Sequence, residues 1–415
     1  MSRNLYVAIS IVVIVLVALG LLGGLVWANS LYARQHPTET EFLLPWLGAR
    51  TFLQYGESPY ADPSTQRAQI QYYGRLADAG QDPLRLSLPF PIEVLYFPFT
   101  MLGDPAWARG AWMALVEIGL AALGWIGLRL TGWKAGRFLL PAVMLFPVLW
   151  IYGPLSFLNG SGTGLAVLAI AGALLALRAG RDELAGALLF PAFFRPDLGG
   201  ALLVLLLVWT LSARRGRVLA GLAMALAILF LISFLLLPGW FFPFLQGLVS
   251  HYQHADLITP GRIFAGWWPA IGARLGWVLT GGVALLLLLE WRAALGRDFR
   301  HLLWTACLTL AATPLLGIPL SIFDYGILFL PFLLGLAVLA ERWNRRRQWL
   351  VSGLPLAVLF LAPWLAAFRS ASLQGLVDFL ALAMPLLLLL LLYWIRWWAI
   401  RPPRTWLETA RGETE

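Results

Sequence analysis

The chain has 415 residues, of which 60% are hydrophobic and 12% are charged, and its net charge is +9. Soluble domains are roughly half apolar and a quarter charged, so this composition excludes an ordinary soluble protein and predicts a membrane protein. The basic residues form short clusters between apolar runs, as the positive-inside rule requires, so the charge does not indicate nucleic-acid binding. The single cysteine, Cys307, excludes an intrachain disulfide and a multi-cysteine metal site.

The apolar runs predict an all-α polytopic membrane protein, because lipid cannot satisfy free backbone polar groups. We expect about 12 transmembrane helices in a single integral membrane domain over residues 1–400. The predicted spans are residues 5–28, 106–129, 138–153, 163–178, 184–195, 198–211, 217–238, 275–291, 301–318, 322–341, 350–368 and 376–399. The basic loops between them place both termini, including a short tail at 401–415, in the cytoplasm of a plasma-membrane protein.

One long polar stretch follows the first span and predicts a first outer loop over residues 29–104. The pattern predicts a juxtamembrane helix from Phe42 to Tyr55 that ends at Gly56. Residues 88–102 contain three prolines, which break or kink helices, so we expect a half-inserted helix there and not a full crossing.

Three carboxylates near this loop are candidates for chemistry. Glu41 lies at the predicted start of the juxtamembrane helix, where an acid is either a catalytic base or a routine partner of the helix dipole. Glu39 is either a second such acid or a solvated loop charge. Glu93 has apolar neighbours, so it is either functional or placed at the aqueous rim.

Arg195 is the last residue of segment 184–195, which is followed by segment 198–211. At the rise of an α-helix each of these segments reaches only ~20 Å. We therefore expect their junction to lie below the outer surface in a cavity. An arginine at that depth needs an anionic partner. The sequence leaves two partners open, the adjacent Asp197 and the phosphate of a lipid, which guanidinium can hold in a bidentate manner.

The loop after residue 237 contains His251 and His254, followed by Asp256. On one helical face the two histidines could share a metal ion. The alternative is a polar loop that, together with Arg262, contacts a sugar or a phosphate. No cofactor is predicted, and a divalent metal is compatible with the sequence but not indicated by it.

Two further polar motifs are predicted at the outer surface. Asn159-Gly160-Ser161-Gly162 joins two spans, either as a flexible turn or as part of a site. Asp324 and Tyr325 begin a later span, where the carboxylate could cap a helix or hydrogen-bond a substrate hydroxyl.

The order of these motifs resembles glycosyltransferase family 87 of the GT-C class, which includes polyprenol-phosphate-dependent mannosyltransferases. The resemblance is carried by Glu41-Phe42, Gly48-Ala49, Gly56, Pro59-Tyr60, Pro89-Phe90-Pro91, Asn159-Gly160, Arg195-Pro196 and Asp324-Tyr325. Two positions depart from the family pattern, since Glu41 replaces the usual Asp and the Gly-Gln-x-Asn turn lacks its Gln. These departures leave the donor sugar open.

The resemblance implies a GT-C-like bundle that transfers a sugar, a mannose-like hexose or a pentose, from a polyprenyl-phosphate donor. The acceptor would be a lipid or a glycan at the outer membrane face. Glu41 would be the general base, with Glu39 and Glu93 in reserve. The residues expected to bind donor phosphate or substrate are Arg195, Asp197, Arg262, His251, His254, Asn159, Asp324 and Tyr325. The alternatives are a transporter or flippase of lipid-linked saccharides and a catalytically inactive membrane scaffold.

Overall fold

The computed structural model describes residues 3–37, 40–78, 80–254, 257–342, 349–369 and 373–401. These residues are predominantly helical, and the described part of the chain has no β-strand beyond one isolated antiparallel bridge between Ile258 and Leu320. The prediction of an all-α chain is confirmed.

Seven of the described helices are long and apolar enough to cross a membrane. They are Ile9–Gln35, Pro105–Thr131, Arg217–Leu236, Gly272–Ala294, Ile322–Arg342, Leu350–Arg369 and Gln374–Ala399. A further pair, Leu139–Leu149 and Tyr152–Asn159, passes the same test only if both helices are counted as one broken span. The chain is therefore a multi-pass membrane protein, and the count of twelve spans and the side of each loop stay predictions.

The chain divides into two compact units. The first unit comprises residues 1–118, 157–162 and 229–255, and the second comprises residues 119–156, 163–228 and 256–415. The single domain proposed from the sequence stays a prediction.

The first unit contains the polar stretch and the helices around it. Its complete helices are α1 (Arg3–Gln35), α2 (Thr40–Tyr55), α3 (Asp62–Tyr73), α4 (Phe90–Glu93) and α5 (Phe97–Thr100), with α14 (Phe241–His254) from later in the chain. The unit boundaries fall inside three other helices, which are α6 (Pro105–Thr131), α8 (Tyr152–Asn159) and α13 (Arg217–Leu236).

The second unit contains most of the remaining helices. They are α7 (Leu139–Leu149), α9 (Thr163–Arg178), α10 (Asp182–Ala187), α11 (Phe190–Phe194), α12 (Pro196–Ser212), α15 (Pro260–Trp267), α16 (Gly272–Ala294), α17 (Phe299–Ala312), α18 (Phe329–Arg342), α19 (Leu354–Arg369) and α20 (Leu373–Ala399). Every residue of α17 between His301 and Ala312 is buried, so this helix forms the centre of the unit. The indole of Trp304 on α17 donates to the carbonyl of Leu392 on α20 at 3.0 Å.

The helix predicted over Phe42 to Tyr55 is confirmed as α2, which begins two residues earlier at Thr40, and its juxtamembrane location stays a prediction. It ends where the sequence indicates, because Gly56 adopts a left-handed conformation (φ 68°) that glycine reaches without steric cost. Its buried face carries Phe42 and Trp46, and Phe42 packs against Tyr96 and Trp112 at ring-centroid distances of 5.9 and 6.1 Å. These aromatic contacts fix the start of α2 in the first unit.

The proline-rich segment 88–102 is not one helix. It contains α4, a 3₁₀ turn at Val94–Tyr96, and α5. A proline occupies the first turn of both α4 and α5, where its missing N–H costs nothing, so each proline begins a new short helix. The prediction that proline breaks this segment is confirmed, and its half-insertion stays a prediction.

The prediction of one short helix over residues 184–195 is wrong. The chain instead forms α10 and α11, separated after Ala187. The ring of Pro191 would clash with the carbonyl four residues earlier, that of Ala187, so α10 cannot continue. Arg195 then leaves the helical conformation (φ −120°, ψ 69°), as a residue before proline tends to do, and Pro196 begins α12.

Candidate functional site

The start of α2 lies against the Asn159–Gly162 turn within the first unit. Glu41 is half-buried in the first turn of α2, and the next residue, Phe42, is fully buried. A Cβ at Gly160 would lie only 2.6 Å from the Cβ of Phe42, so only glycine permits this approach. The indole of Trp112 donates to the Gly160 carbonyl at 2.8 Å, and Asn159 beside it is buried. Two sequence-predicted motifs from distant parts of the chain therefore meet here.

Arg109 connects the same turn to the end of the first span. It lies on α6, is only 4% exposed, and donates to the backbone carbonyls of both His36 and Leu158. These contacts were not predicted from the sequence, because an arginine near the start of an apolar helix ordinarily marks the membrane boundary. Arg109 therefore holds the backbone after α1 and the backbone of α8 against α6.

Glu93 is the most deeply buried carboxylate among the described residues of the first unit. It is 0% exposed, and neither of its side-chain oxygens has a hydrogen-bond partner among the described residues. Its carboxyl lies beside α2 at Gly48, where a Cβ would be 2.4 Å from Oε1. This contact explains the glycine of the Gly48-Ala49 pair. Burial raises the pKa of the Glu93 carboxyl well above its ordinary value. The pKa of the Tyr60 hydroxyl is also raised, first by its own burial and second by the nearby Glu93 carboxyl.

The raised pKa of Glu93 predicts a pH-dependent stability. The Glu93 carboxyl stays protonated to a higher pH in the folded state than in the unfolded chain, so above the ordinary pKa of 4.5 the folded state binds more protons. The free energy of unfolding therefore falls as the pH rises above that value. Glu93→Gln removes this titration. We expect the melting temperature of Glu93→Gln, relative to that of the wild type, to rise steadily from pH 5 to pH 8.

The measurement is thermal unfolding of the purified full chain in detergent across this pH range. Glu57→Gln is the matched control, because Glu57 is 39% exposed and pairs with Arg67 at 2.7 Å. A pH-independent difference between Glu93→Gln and the wild type would contradict the assignment of a protonated carboxyl.

The second unit contains a charged cluster, which we call the Arg195 cluster, made of Arg195, Asp197, Asp324 and Thr163. Arg195 Nε donates to both Asp197 oxygens at 3.1 Å, and its Nη2 lies 2.7 Å from Asp197 Oδ2. The same Nη2 lies 3.0 Å from Asp324 Oδ2, and the Thr163 hydroxyl donates to Asp324 Oδ1. Both carboxylates are buried. The sequence left open whether Asp197 or a phosphate pairs with Arg195, and in the structure Asp197 does.

Asp324 and Tyr325 also have structural roles. Asp324 completes a capping box with Ser321, whose backbone N–H donates to Asp324 Oδ2 at 3.3 Å. The capping alternative is therefore confirmed. Tyr325 is 1% exposed, and its hydroxyl donates to the Ala381 carbonyl at 3.2 Å.

The remaining predicted site residues are divided between the units. His251 is half-buried on α14 in the first unit, with its ring 6.0 Å from that of Tyr252. Arg262 is on α15 in the second unit, and its Nη1 donates to the Leu257 carbonyl at 2.8 Å.

Three predicted residues cannot be placed. Glu39, Asp256 and the side chain of His254 lie outside the described residues. The described residues contain no group of three or more side chains able to hold a metal ion.

No protein-family model, no curated protein and no solved structure matches the chain. The resemblance to glycosyltransferase family 87 therefore rests on the order and type of the motifs.

Proposed function

We propose that the protein is a membrane glycosyltransferase that moves a sugar from a polyprenyl-phosphate donor to a lipid or glycan acceptor. The proposal is supported by one observation. The sequence motifs that resemble those of glycosyltransferase family 87 contact one another in pairs. In the first unit, Glu41-Phe42 meets Asn159-Gly160. In the second, Arg195-Pro196 meets Asp324-Tyr325 through an ion pair of 3.0 Å.

In the proposed reaction Glu41 accepts the proton of the acceptor hydroxyl. The freed oxygen attacks the anomeric carbon of the donor sugar, and the bond from that carbon to the phosphate oxygen breaks. The polyprenyl phosphate leaves with the electron pair of that bond, and the configuration at carbon inverts. A positioned general base of this kind contributes about 10²–10⁴-fold to the rate.

Arg195 is the proposed partner of the donor phosphate. One guanidinium and two carboxylates leave the Arg195 cluster with a formal charge of −1 when both acids are ionised, so a phosphate must replace a carboxylate to bind. Asp197 is the one to be replaced, because Asp324 is also held by Thr163 and by the capping box. Guanidinium then holds the departing phosphate charge in a site of low dielectric.

The test is a transfer assay with the purified full chain in lipid nanodiscs. The donors are polyprenyl phosphates carrying different hexoses and pentoses, and the products are identified by mass spectrometry. We expect transfer from at least one donor and none from the corresponding free sugars. Failure with every polyprenyl-phosphate donor and a panel of lipid and glycan acceptors contradicts the proposal.

A second candidate, a transporter of lipid-linked saccharides, is favoured by the broken helices α10, α11 and α12 with charges at the break. Transporters often place discontinuous helices and their charges at a substrate site. The distinguishing measurement follows a fluorescent lipid-linked saccharide across a proteoliposome membrane. Movement of the intact lipid without bond transfer supports the transporter and excludes the transferase.

A further inference from the structure

We infer that a cavity of the first unit binds the acceptor, and that the acceptor is a carbohydrate bearing one anionic group. Its role as the acceptor site rests on the proposed function, whereas the binding chemistry does not. The cavity measures about 550 Å³, and its polar lining is formed by Tyr60, Asp62, Arg85 and Gln246. This volume lies within the range of about 300–1,000 Å³ that is usual for small-molecule sites.

The polar side chains at this cavity are left without protein partners. Asp62, Arg85 and Gln246 have no side-chain hydrogen bond or ion pair within the described part of the chain. Two other arginines of the same loop are neutralised, since Arg67 pairs with Glu57 and Arg75 with Asp78, each at 2.7 Å. Asp62 and Arg85 thus line one cavity with opposite charges and remain unpaired, so both are available to a ligand.

The fold holds Arg85 in place from both sides. The preceding residue, Leu84, is buried and adopts φ 53°, and its N–H donates to Asp82 Oδ1 at 2.8 Å. The amide of Gln69 donates to the Pro83 carbonyl at 2.8 Å. The following residue, Leu86, packs on α14 so closely that a Cβ at Gly247 would lie 2.1 Å from its carbonyl oxygen. Arg85 therefore projects from an anchored segment.

A second recess of about 470 Å³ adjoins the cavity and shares Arg85 and Gln246 with it. Leu245 and Val249 give this recess an apolar side. Arg85 thus lies at the junction of two spaces, which favours a ligand longer than a single small ion.

The side chains specify the ligand class. Guanidinium binds phosphate or carboxylate in a bidentate manner. Asp62 accepts hydrogen bonds from hydroxyls, and the amide of Gln246 both donates and accepts. Both charged side chains are exposed, so a neutral sugar would gain nothing from the charge of Arg85, and a bare phosphate would gain nothing from Asp62. A sugar carrying one phosphate or carboxylate satisfies all three.

The test measures binding to the full chain in nanodiscs of neutral lipid by calorimetry. The probes are glucose 6-phosphate, methyl glucoside and inorganic phosphate. We expect glucose 6-phosphate to bind more tightly than either of the others. Arg85→Ala and Asp62→Ala should each weaken its affinity about tenfold or more, as expected when a charge-assisted hydrogen bond is lost.

Arg75→Ala is the matched control, because it removes an exposed arginine of the same loop away from the cavity. Equal loss in Arg75→Ala, or no preference for glucose 6-phosphate, overturns the site. If Asp62→Ala fails to fold, the affinity of Arg85→Ala for glucose 6-phosphate decides the result, because Arg85 is exposed. Nanodiscs containing phosphatidylinositol distinguish the source: competition with glucose 6-phosphate assigns the site to a lipid headgroup, and undiminished binding assigns it to a soluble glycan.

The inference and the proposed function fail in different ways. Glu41→Gln should lower the rate of transfer by about 10²–10⁴-fold and leave binding of glucose 6-phosphate unchanged. Binding without transfer in the wild type would contradict the transferase and leave the site intact. Transfer with an acceptor KM unaffected by Arg85→Ala would overturn the assignment of this cavity as the acceptor site and leave the transferase intact.

Discussion

Glu41→Gln is expected to lower the rate of sugar transfer by about 10²–10⁴-fold, which is the usual contribution of a positioned general base. Glutamine has nearly the same shape as glutamate but cannot accept the proton of the acceptor hydroxyl. The measurement is the initial rate of transfer in nanodiscs with saturating donor and acceptor, where the loss should appear in kcat.

The same variant separates a base from a helix cap. Glu41 lies in the first turn of α2, where its charge also favours the helix dipole by about 0.3–1 kcal/mol. If Glu41 were only a helix cap, Glu41→Gln would lose that stability but would transfer sugar at the wild-type rate. Glu41→Asp retains the charge and should keep part of the activity, whereas the control Glu57→Gln should keep all of it. Transfer by Glu41→Gln at the wild-type rate would exclude the base.

Arg195→Met is expected to lower the unfolding free energy by about 3–5 kcal/mol, because it leaves buried carboxylates without their cation. The side chains of Asp197 and Asp324 are only 11% and 6% exposed. Methionine fills a similar volume, so the lost stability would come from the missing positive charge and not from a cavity. The measurement is thermal unfolding in detergent, followed by the fluorescence of the 21 tryptophans.

The second unit offers a matched control in Arg217. Its pair with Glu183 is long, 3.7 Å, and the two side chains are 79% and 56% exposed. Arg217→Met should therefore cost no more than about 1 kcal/mol. Adding Asp324→Asn to Arg195→Met should recover part of the lost stability. If Arg195→Met and Arg217→Met unfold alike, the Arg195 cluster is not a buried ion network.

Local features of this chain could be predicted from sequence, and distant contacts could not. Gly56 ends α2 because its conformation is a local property of glycine, and the prolines of segment 88–102 act on their own neighbours. The pairing of Arg195 with Asp324 and the approach of Gly160 to Phe42 depend on how remote segments pack. Residue types indicated the participants in these contacts, but not which of them would meet.

The error over residues 184–195 has a local cause. Apolar content predicted one helix, but Pro191 has a steric effect that outweighs composition, and the helix divides there. The unpaired Arg85 was missed for the opposite reason. Its availability is visible only when the partners of the other loop arginines are known.

The first helix makes the protein sensitive to bilayer thickness. None of its most apolar 18 residues is buried, and Gly110 of α6 packs against its later part, at Val26 and Ser30. The candidate span Ile9–Gln35 has 27 residues, about 40 Å at the helical rise, and exceeds a hydrocarbon layer of about 30 Å. Such a helix tilts to fit the lipid. Because Gly110 contacts this helix in the part that precedes α2, we expect a thinner membrane to change the tilt of α1 next to the helix that carries Glu41.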